Sequence, residues 1–310
     1  MKKNEWIPVR KSHLKYYENI ELFYKSPSGN IVLYKPVGMP FTDESIANKP
    51  FIGDLYIKPE DKSATLEATQ KGFNEQLIKD IQNKTLNEVR DSLFNVVDET
   101  LAQPRAGGLK AMTGTVQSIV EGFSSQKGII KNLVRISYND YTTALHSINV
   151  MALTVGYCYF TGKSTKVTEE YALAALLHDV GKTEVPKNIL TASRPLTDEE
   201  YNQIKAHSSL GADILDGYKE EPIRKAKVGA LEHHEKLDGS GYPHGKTDIT
   251  ECGRILSIVD CYEAITNDDR PYRSAMQPLK ALALLKEDME KGKFDRSIFT
   301  DFAYSLTDFK

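Results

Sequence analysis

The stretch HHEKLDGSGYP at residues 233–243, together with HDVGK at residues 178–182, decides the fold of this chain. Each stretch places metal-binding residue types side by side and follows them with glycine. Imidazole nitrogens and carboxylate oxygens together suit borderline divalent metals such as iron, manganese or zinc. Adjacent side chains on a helix diverge by about 100°. Each pair therefore suits two metals, or one metal and its outer shell, better than one compact site.

Histidine is concentrated around these two stretches. Six of the chain's seven histidines lie between residues 146 and 260, and the well-placed aspartates Asp179 and Asp260 accompany them. Seven candidate ligands exceed what one ion with an open position can use, so the pattern predicts two adjacent metals. Taken singly, His146 or His207 is more often a hydrogen-bonded core residue, and 238–243 can be an ordinary glycine turn. The joint order favours the metal site. The candidates are His146, His178, Asp179, His207, His233, His234 and Asp260.

Local signals place the helices that carry these candidates. Thr197 and Glu200 predict a capping box, so a helix should start there and carry His207 about three turns in. A second helix, over about 168–181, should end in the HDVGK stretch, where glycine is a common stop. Asp260 should lie in the middle of a further helix. The ligands therefore come from separate elements.

The predicted secondary structure changes along the chain from strands to helices. Residues 1–62 predict a small β-rich domain, whose position suggests a regulatory role, and residues 63–108 predict a connecting helical segment. Residues 109–310 read as successive helices, so the fold class is mainly α. The aromatic residues of the front domain either build a small β core or form a ligand-sensing face. The predicted strands lie near 6–10, 20–25, 31–35 and 51–57.

Composition narrows the partners and the compartment. The start lacks the apolar run of a signal peptide, and no apolar stretch is long enough to span a membrane. Three cysteines without a paired spacing indicate thiols in a reducing compartment, so we expect a cytoplasmic protein. The net charge of −3, without a polybasic block, disfavours a nucleic-acid polymer or a membrane surface as partner.

The two stretches resemble the signatures of the HD-GYP family, the bacterial cyclic di-GMP phosphodiesterases of the HD superfamily. The resemblance covers about residues 138–302, roughly half of the chain, and the front domain carries no comparable signature. It implies an all-helical HD-type bundle that holds a binuclear metal site. Further matches in the family's order include Arg254-Ile255-Leu256, Asp260-x-Tyr262, Arg270-Pro271-Tyr272-Arg273 and Gly292-x-Phe294-Asp295.

The resemblance also implies an activity. We expect hydrolysis of cyclic di-GMP to pGpG, to GMP or to both, with a metal-bridging hydroxide as nucleophile. The seven candidate ligands match the family's metal-binding residues, and Asp179 matches the aspartate that bridges two ions. Iron is the first expectation, with manganese, zinc or nickel as alternatives, because the same ligands accept all four. Catalytic roles fall on Asp179 and Lys182, whose ammonium group can neutralise a phosphoryl oxygen.

Five residues are the candidates for substrate binding. Each has a plainer alternative. Lys182 can be a lysine at a helix C-terminus that interacts favourably with the helix dipole. Arg270 and Arg273 can be surface charges, and the Tyr242 ring can pack only against its own loop. If these residues bind substrate, the guanidinium groups of Arg270 and Arg273 match the geometry of its phosphates. The five candidates are Lys182, Asp238, Tyr242, Arg270 and Arg273.

The chain also departs from the family's pattern. Some members bind a third metal with a glutamate one helical turn before the first histidine. In this chain that position is Thr142, which has no carboxylate, so we expect two metals. Glu263 stands where aspartate is usual, and the segment after Pro243 is about two residues short. His244 is extra and should face solvent.

Two hypotheses of different class follow. The first is the phosphodiesterase, and the second is a low-activity or inactive HD-GYP module that binds a cyclic dinucleotide or a partner protein in signalling. A narrower third option is another HD-type nucleotide phosphohydrolase. Such enzymes generally have the His-Asp pair without the GYP loop, which this chain has. The connecting helix can pair with a second chain, so a homodimer is a further prediction.

Overall fold

The computed structural model describes residues 6–41, 54–83, 86–102, 104–106, 108–124, 142–192, 194–267 and 276–307. The predicted substrate contacts Arg270 and Arg273 lie outside these residues. The chain divides into two compact units, Met1–Gln76 and Leu77–Lys310. The fold class is confirmed: the chain is mostly helical, with a small antiparallel sheet near its start. Among the described residues, no helix is both long and apolar enough to cross a membrane.

The first unit is built around a four-stranded sheet with antiparallel pairing throughout. The four strands occur where the sequence predicts them. Leu14, Leu22 and Ile57 are among its fully buried core residues, and a 3-10 helix over Lys11–Tyr16 supplies the first of these. Tyr24 and Tyr34 pack against this core, as expected for a small β domain. The strands are β1 (Ile7–Pro8), β2 (Leu22–Lys25), β3 (Ile31–Lys35) and β4 (Leu55–Ile57). Their order across the sheet is β1-β4-β2-β3.

The second unit is a bundle of helices centred on one almost wholly buried helix. Every residue from Ala144 to Cys158 in helix α4 (Thr143–Phe160) is buried, and helix α5 (Thr165–Leu177) packs along it. The helices are α1 (Lys62–Asn83), α2 (Leu86–Ala102), α3 (Lys110–Ser124), α4 (Thr143–Phe160), α5 (Thr165–Leu177), α6 (Lys187–Leu190), α7 (Asp198–Lys205), α8 (His207–Asp216), α9 (Glu221–Lys225), α10 (Lys227–Glu232), α11 (Glu251–Thr266), α12 (Pro278–Glu290) and α13 (Arg296–Ser305). Helix α1 begins in the first unit.

Side-chain caps fix where the helices of the site begin. The capping box of Thr197 and Glu200 is confirmed at the start of α7. Thr142, which was expected to supply no metal ligand, accepts the Leu145 N–H and caps α4. Helix α5 begins at Thr165 rather than near residue 168, because the Ser164 side chain accepts the N–H of Val167.

The expectation for His207 is wrong in one respect. His207 does not lie three turns inside a single helix, because α7 ends at Lys205 and α8 begins at His207 itself. The break at Ala206 lets the His207 ring reach back, so that its Nδ1 donates to the Ile204 carbonyl at 2.6 Å. A side chain that takes a local carbonyl competes with regular helical pairing.

Candidate metal centre

The ends of several helices meet at one buried cluster of histidines and aspartates. His146 comes from the first turn of α4, and Asp260 from the middle of α11. His178 and Asp179 follow the end of α5, His207 opens α8, and His233 and His234 follow α10. All seven predicted ligands thus lie in one cluster. Six of them are buried, and the His234 side chain alone retains appreciable exposure, at 23%.

Asp179 lies between two sets of imidazoles. Its Oδ2 atom is 3.4 Å from the Nε2 atoms of both His146 and His178. Its other oxygen, Oδ1, is 3.2 Å from His207 Nε2 and 3.8 Å from His233 Nε2. One carboxylate therefore faces two groups of nitrogen ligands, each with its own oxygen.

Each group can hold an ion. In the first, His146, His178 and Asp260 converge, with Asp260 Oδ1 3.0 Å from His146 Nε2 and 3.8 Å from His178 Nε2. In the second, His207, His233 and His234 converge. A third combination, His178 with Asp179 and His233, runs across the two groups. The donor set is imidazole and carboxylate, which suits iron, manganese or zinc.

Backbone carbonyls fix the tautomers of three of these histidines. The Nδ1 atoms of His178, His207 and His233 donate to the carbonyls of residues 175, 204 and 229, at 2.6, 2.6 and 2.7 Å. A carbonyl can only accept, so each Nδ1 carries a hydrogen. In the neutral ring, the Nε2 lone pair then points into the cluster. This is the outer-shell arrangement that orients metal-binding histidines.

The distances between the ligand atoms fit bound cations. His207 Nε2 and His233 Nε2 lie 3.1 Å apart, and His146 Nε2 and His178 Nε2 lie 3.2 Å apart. Two ligands at right angles on one metal, each about 2.1 Å from it, would be about 3 Å apart. Asp179 Oδ1 is also buried without a hydrogen-bond partner. Facing lone pairs and an unsatisfied carboxylate oxygen fit bound divalent ions.

The electrostatics of Asp179, Asp260, His233 and His234 favour the protonation states that bind metal. Burial by itself would raise the pKa of Asp179, but the Lys182 ammonium and neighbouring imidazoles outweigh it and hold that pKa well below its usual range. The pKa of Asp260 is lowered against burial in the same way, first by an imidazole hydrogen bond. Burial lowers the pKa of His233 far below its ordinary value and that of His234 to about 3. Ionised carboxylates and neutral imidazoles are the ligating forms.

Glu263 supports His146, and the sequence reasoning missed this role. The two side chains meet at 2.5 Å between His146 Nδ1 and Glu263 Oε2. Asn149 and Asn267 donate to the other Glu263 oxygen at 2.9 and 2.7 Å. Burial alone would lower the pKa of His146, but the carboxylates of Glu263 and Asp260 outweigh it and raise that pKa to about 9. A signal was available, because Glu263 follows Asp260 by three residues on one helix face.

A second missed carboxylate holds the glycine-rich loop. Glu235 is buried and accepts the backbone N–H groups of His244 at 2.8 Å and Lys246 at 2.9 Å. The loop thereby returns to the end of α10. Gly241 is required at its closest approach, because a Cβ atom there would lie 2.4 Å from the Lys236 nitrogen. His244 itself is exposed, as expected.

The predicted substrate contacts take different positions. The Tyr242 ring packs on His234, with centroids 4.5 Å apart, so it lies against the cluster. Lys182 Nζ contacts Asp179 Oδ2, and its side chain is 23% exposed. Asp238 is exposed and uses its carboxylate inside the turn, where it accepts from the N–H and hydroxyl of Ser240. None of the described contacts brings Asp238 to the ligand cluster.

Comparison with known proteins places the cluster in a family context. A family model described as HD domain matches residues 126–298, more than half of the chain. A cyclic di-GMP phosphodiesterase of Pseudomonas aeruginosa is 35% identical over 177 residues, which cover 56% of this chain and 42% of that protein. A 3'3'-cGAMP-specific phosphodiesterase of Vibrio cholerae is 41% identical over 118 residues, covering 37% of this chain and 25% of that protein.

A further relative and one solved structure extend the comparison. A probable cyclic di-GMP phosphodiesterase of Vibrio cholerae is 33% identical over 221 residues, covering 66% of this chain and 47% of that protein. The chain thus spans less than half the length of these curated relatives. An HDG"Y"P protein of Bdellovibrio bacteriovorus has a similar fold, with a TM-score of 0.64, 19% identity and coverage of 98% of this chain and 100% of its own.

Proposed function

The chain belongs to the HD domain family, and from that premise we propose that it is a metal-dependent phosphodiesterase that hydrolyses cyclic di-GMP to pGpG, GMP or both. One observation carries the proposal. Asp179 presents one oxygen to His146 and His178 and the other to His207 and His233. The two oxygens would help to hold two divalent ions, and such a pair of ions assists in-line displacement at phosphorus.

The candidate ligands would hold the two ions in two groups. His146, His178, Asp260 and one oxygen of Asp179 would hold the first ion. His207, His233, His234 and the other Asp179 oxygen would hold the second. When bound, such ions activate water and withdraw charge from a phosphodiester oxygen. Iron is the first candidate metal, and manganese, zinc or nickel fit the same donors.

Lys182 would act on the substrate directly. Its ammonium group lies beside Asp179, at the edge of the cluster, and its side chain is partly exposed. In this proposal it would donate a hydrogen bond to a phosphoryl oxygen as negative charge increases there. Tyr242, packed on His234, would form the wall of the site on the side of the second group.

The relatives define the substrate panel. Curated relatives include proteins named for cyclic di-GMP and three named for 3'3'-cGAMP. Both compounds are cyclic dinucleotides with two phosphodiester bonds, so the same cluster can attack either. The described residues supply every predicted ligand, which favours the enzyme over the alternative of an inactive binding module.

The test uses the full chain purified without oxygen and loaded with iron or manganese. We expect linear products from cyclic di-GMP, followed by chromatography, and a loss of at least about 10³-fold in kcat for Asp179→Asn, as for removal of a group central to the site. Asp213→Asn is the matched control, because Asp213 is an exposed aspartate on α8 outside the cluster. Binding without any turnover in the metal-loaded protein would instead support the inactive module.

A further inference from the structure

Lys205 is a cation held between two aromatic rings. It is the last residue of α7, two positions before His207. Its Nζ atom lies 4.5 Å from the centroid of the Tyr201 ring and 5.8 Å from that of the Tyr242 ring. Both distances fall within the range of cation–π attraction, about 6 Å. Tyr201 lies one helical turn before it, so α7 fixes one of the two rings.

These rings connect Lys205 to the metal cluster. The Tyr242 ring contacts Lys205 and also packs on His234, with centroids 4.5 Å apart. Lys205 therefore lies one side chain away from the second group of ligands. It is half-buried, while Tyr201 is 47% exposed. The ammonium group thus lies at a partly exposed place beside the Tyr242 ring.

Lys205 forms no ion pair with any acid among the described residues. Nearby Glu200 is already engaged by Arg194, at 2.6 and 2.7 Å, and by the Thr197 backbone N–H. Aromatic faces attract an ammonium group but leave its three N–H donors largely unused. A positioned cation with free donors beside a phosphodiester-cleaving cluster is suited to bind an anionic oxygen.

Resting on the proposed function, we propose that Lys205 binds the phosphodiester group of the cyclic dinucleotide that is not being cleaved. A cyclic dinucleotide has two such groups. The one under attack lies over the metal ligands, beside Lys182. The other must lie outside the cluster, and Lys205 supplies a cation there. Lys205 would then be a specificity-determining residue that favours substrates with two phosphodiesters over those with one.

The test compares two substrates in the manganese-loaded full chain. Cyclic di-GMP carries two phosphodiester groups, and bis(4-nitrophenyl) phosphate carries one. We expect Lys205→Met to lower kcat/KM for cyclic di-GMP about tenfold or more, chiefly through KM, because a charge-assisted hydrogen bond is lost. The same variant should change kcat/KM for bis(4-nitrophenyl) phosphate less than about twofold. Lys205→Arg, which keeps the charge, should recover most of the loss.

Two further variants separate the outcomes. Lys182→Met should lower kcat for both substrates, whereas Lys219→Met, at an exposed lysine away from the cluster, should change neither. An equal loss on both substrates in Lys205→Met, or no loss on either, would overturn the assignment of Lys205 while leaving the proposed function intact. Wild-type cleavage of bis(4-nitrophenyl) phosphate alone would overturn the proposed substrate, and the role of Lys205 with it.

Discussion

His207 and His233 direct their Nε2 atoms at each other across 3.1 Å, although neither ring has a hydrogen to place between them in its neutral form. Their Nδ1 atoms are committed to backbone carbonyls. Burial also lowers the pKa of His233 far below its ordinary value, so protonation of His233 to form a hydrogen bond between the two Nε2 atoms is disfavoured. The folded state therefore brings two lone pairs together that a cation would stabilise.

Metal removal should consequently destabilise the fold as well as abolish activity. A ligand that binds only the folded state at about 100 times its Kd contributes about 2.7 kcal/mol. For the 77–310 unit, this corresponds to a fall in Tm of roughly 5 °C or more. Circular dichroism at 222 nm before and after chelation measures the shift, and re-addition of manganese should reverse it. An unchanged Tm, with metal loss verified by elemental analysis, would contradict the expectation.

The support of His146 by Glu263 gives a second prediction. Replacing Glu263 by Gln removes the carboxylate that receives His146 Nδ1 at 2.5 Å and leaves the first ligand group less basic. Outer-shell changes of this kind weaken metal affinity by about 10- to 100-fold. Glu263→Asp keeps the charge and should lose less. Competition with a chromophoric chelator measures the dissociation constant directly, independently of turnover.

The control for this substitution is Glu287→Gln, which makes the same chemical change at an exposed position of α12. Its metal affinity should match that of the unaltered chain. Equal affinity in Glu263→Gln would show that Glu263 does not position His146 for metal binding. A lowered affinity with unchanged Tm of the metal-free protein would exclude general misfolding as the cause.

The cluster of candidate ligands could be predicted from the sequence because residue type and order indicate its members. His178-Asp179 and His233-His234 are adjacent pairs followed by glycines, and this local pattern needs no knowledge of packing. The HD domain match confirms the resemblance that these stretches indicated. The capping box at Thr197 is equally local, and it too is confirmed.

The supporting residues could not be predicted in the same way. Glu263 and His146 are 117 residues apart, and only the packing of α11 against α4 brings them together. Glu235 lies inside a predicted stretch, yet its role depends on a return of the loop that places two backbone N–H groups over it. Periodicity reports which face of a helix is buried and does not report which buried acid meets which donor.

Gly181 gives a third prediction, because it lies where the HDVGK stretch meets α8. A Cβ atom at Gly181 would be 2.0 Å from the His207 carbonyl oxygen and 2.5 Å from the Gly211 nitrogen. These are backbone atoms that cannot rotate away. Gly181→Ala should therefore displace Asp179 from His207, lower the free energy of unfolding by about 2 kcal/mol or more, and weaken metal binding.

Gly114 provides the comparison for Gly181. It lies in helix α3, and no atom stands within 4 Å of a Cβ placed there. Gly114→Ala should raise stability by up to about 1 kcal/mol, because alanine favours the helix. Urea unfolding followed by circular dichroism measures both variants. Similar effects of the two substitutions would mean that the contact of Gly181 with α8 does not limit the fold.

His13 is a buried titratable group in the first unit. Its side chain is 6% exposed, its Nδ1 atom lies 3.4 Å from the Tyr17 hydroxyl, and its ring meets the edge of Phe73. Burial, and then the charge of Arg10, lower the pKa of His13 from 6.5 to about 4. The folded first unit thus favours the neutral imidazole, while the unfolded chain accepts a proton near the ordinary value.

The first unit should therefore lose stability as the pH falls from about 6.5 to about 4, because the unfolded chain binds a proton first. The slope is about 1.4 kcal/mol per pH unit, and the total is roughly 2 to 3 kcal/mol. Trp6 is the chain's single tryptophan and packs on Phe23, so its fluorescence during urea unfolding reports this unit. His13→Gln should flatten the pH dependence, whereas His244→Gln, at an exposed site in the second unit, should not. A slope that persists in His13→Gln would assign the effect to another group.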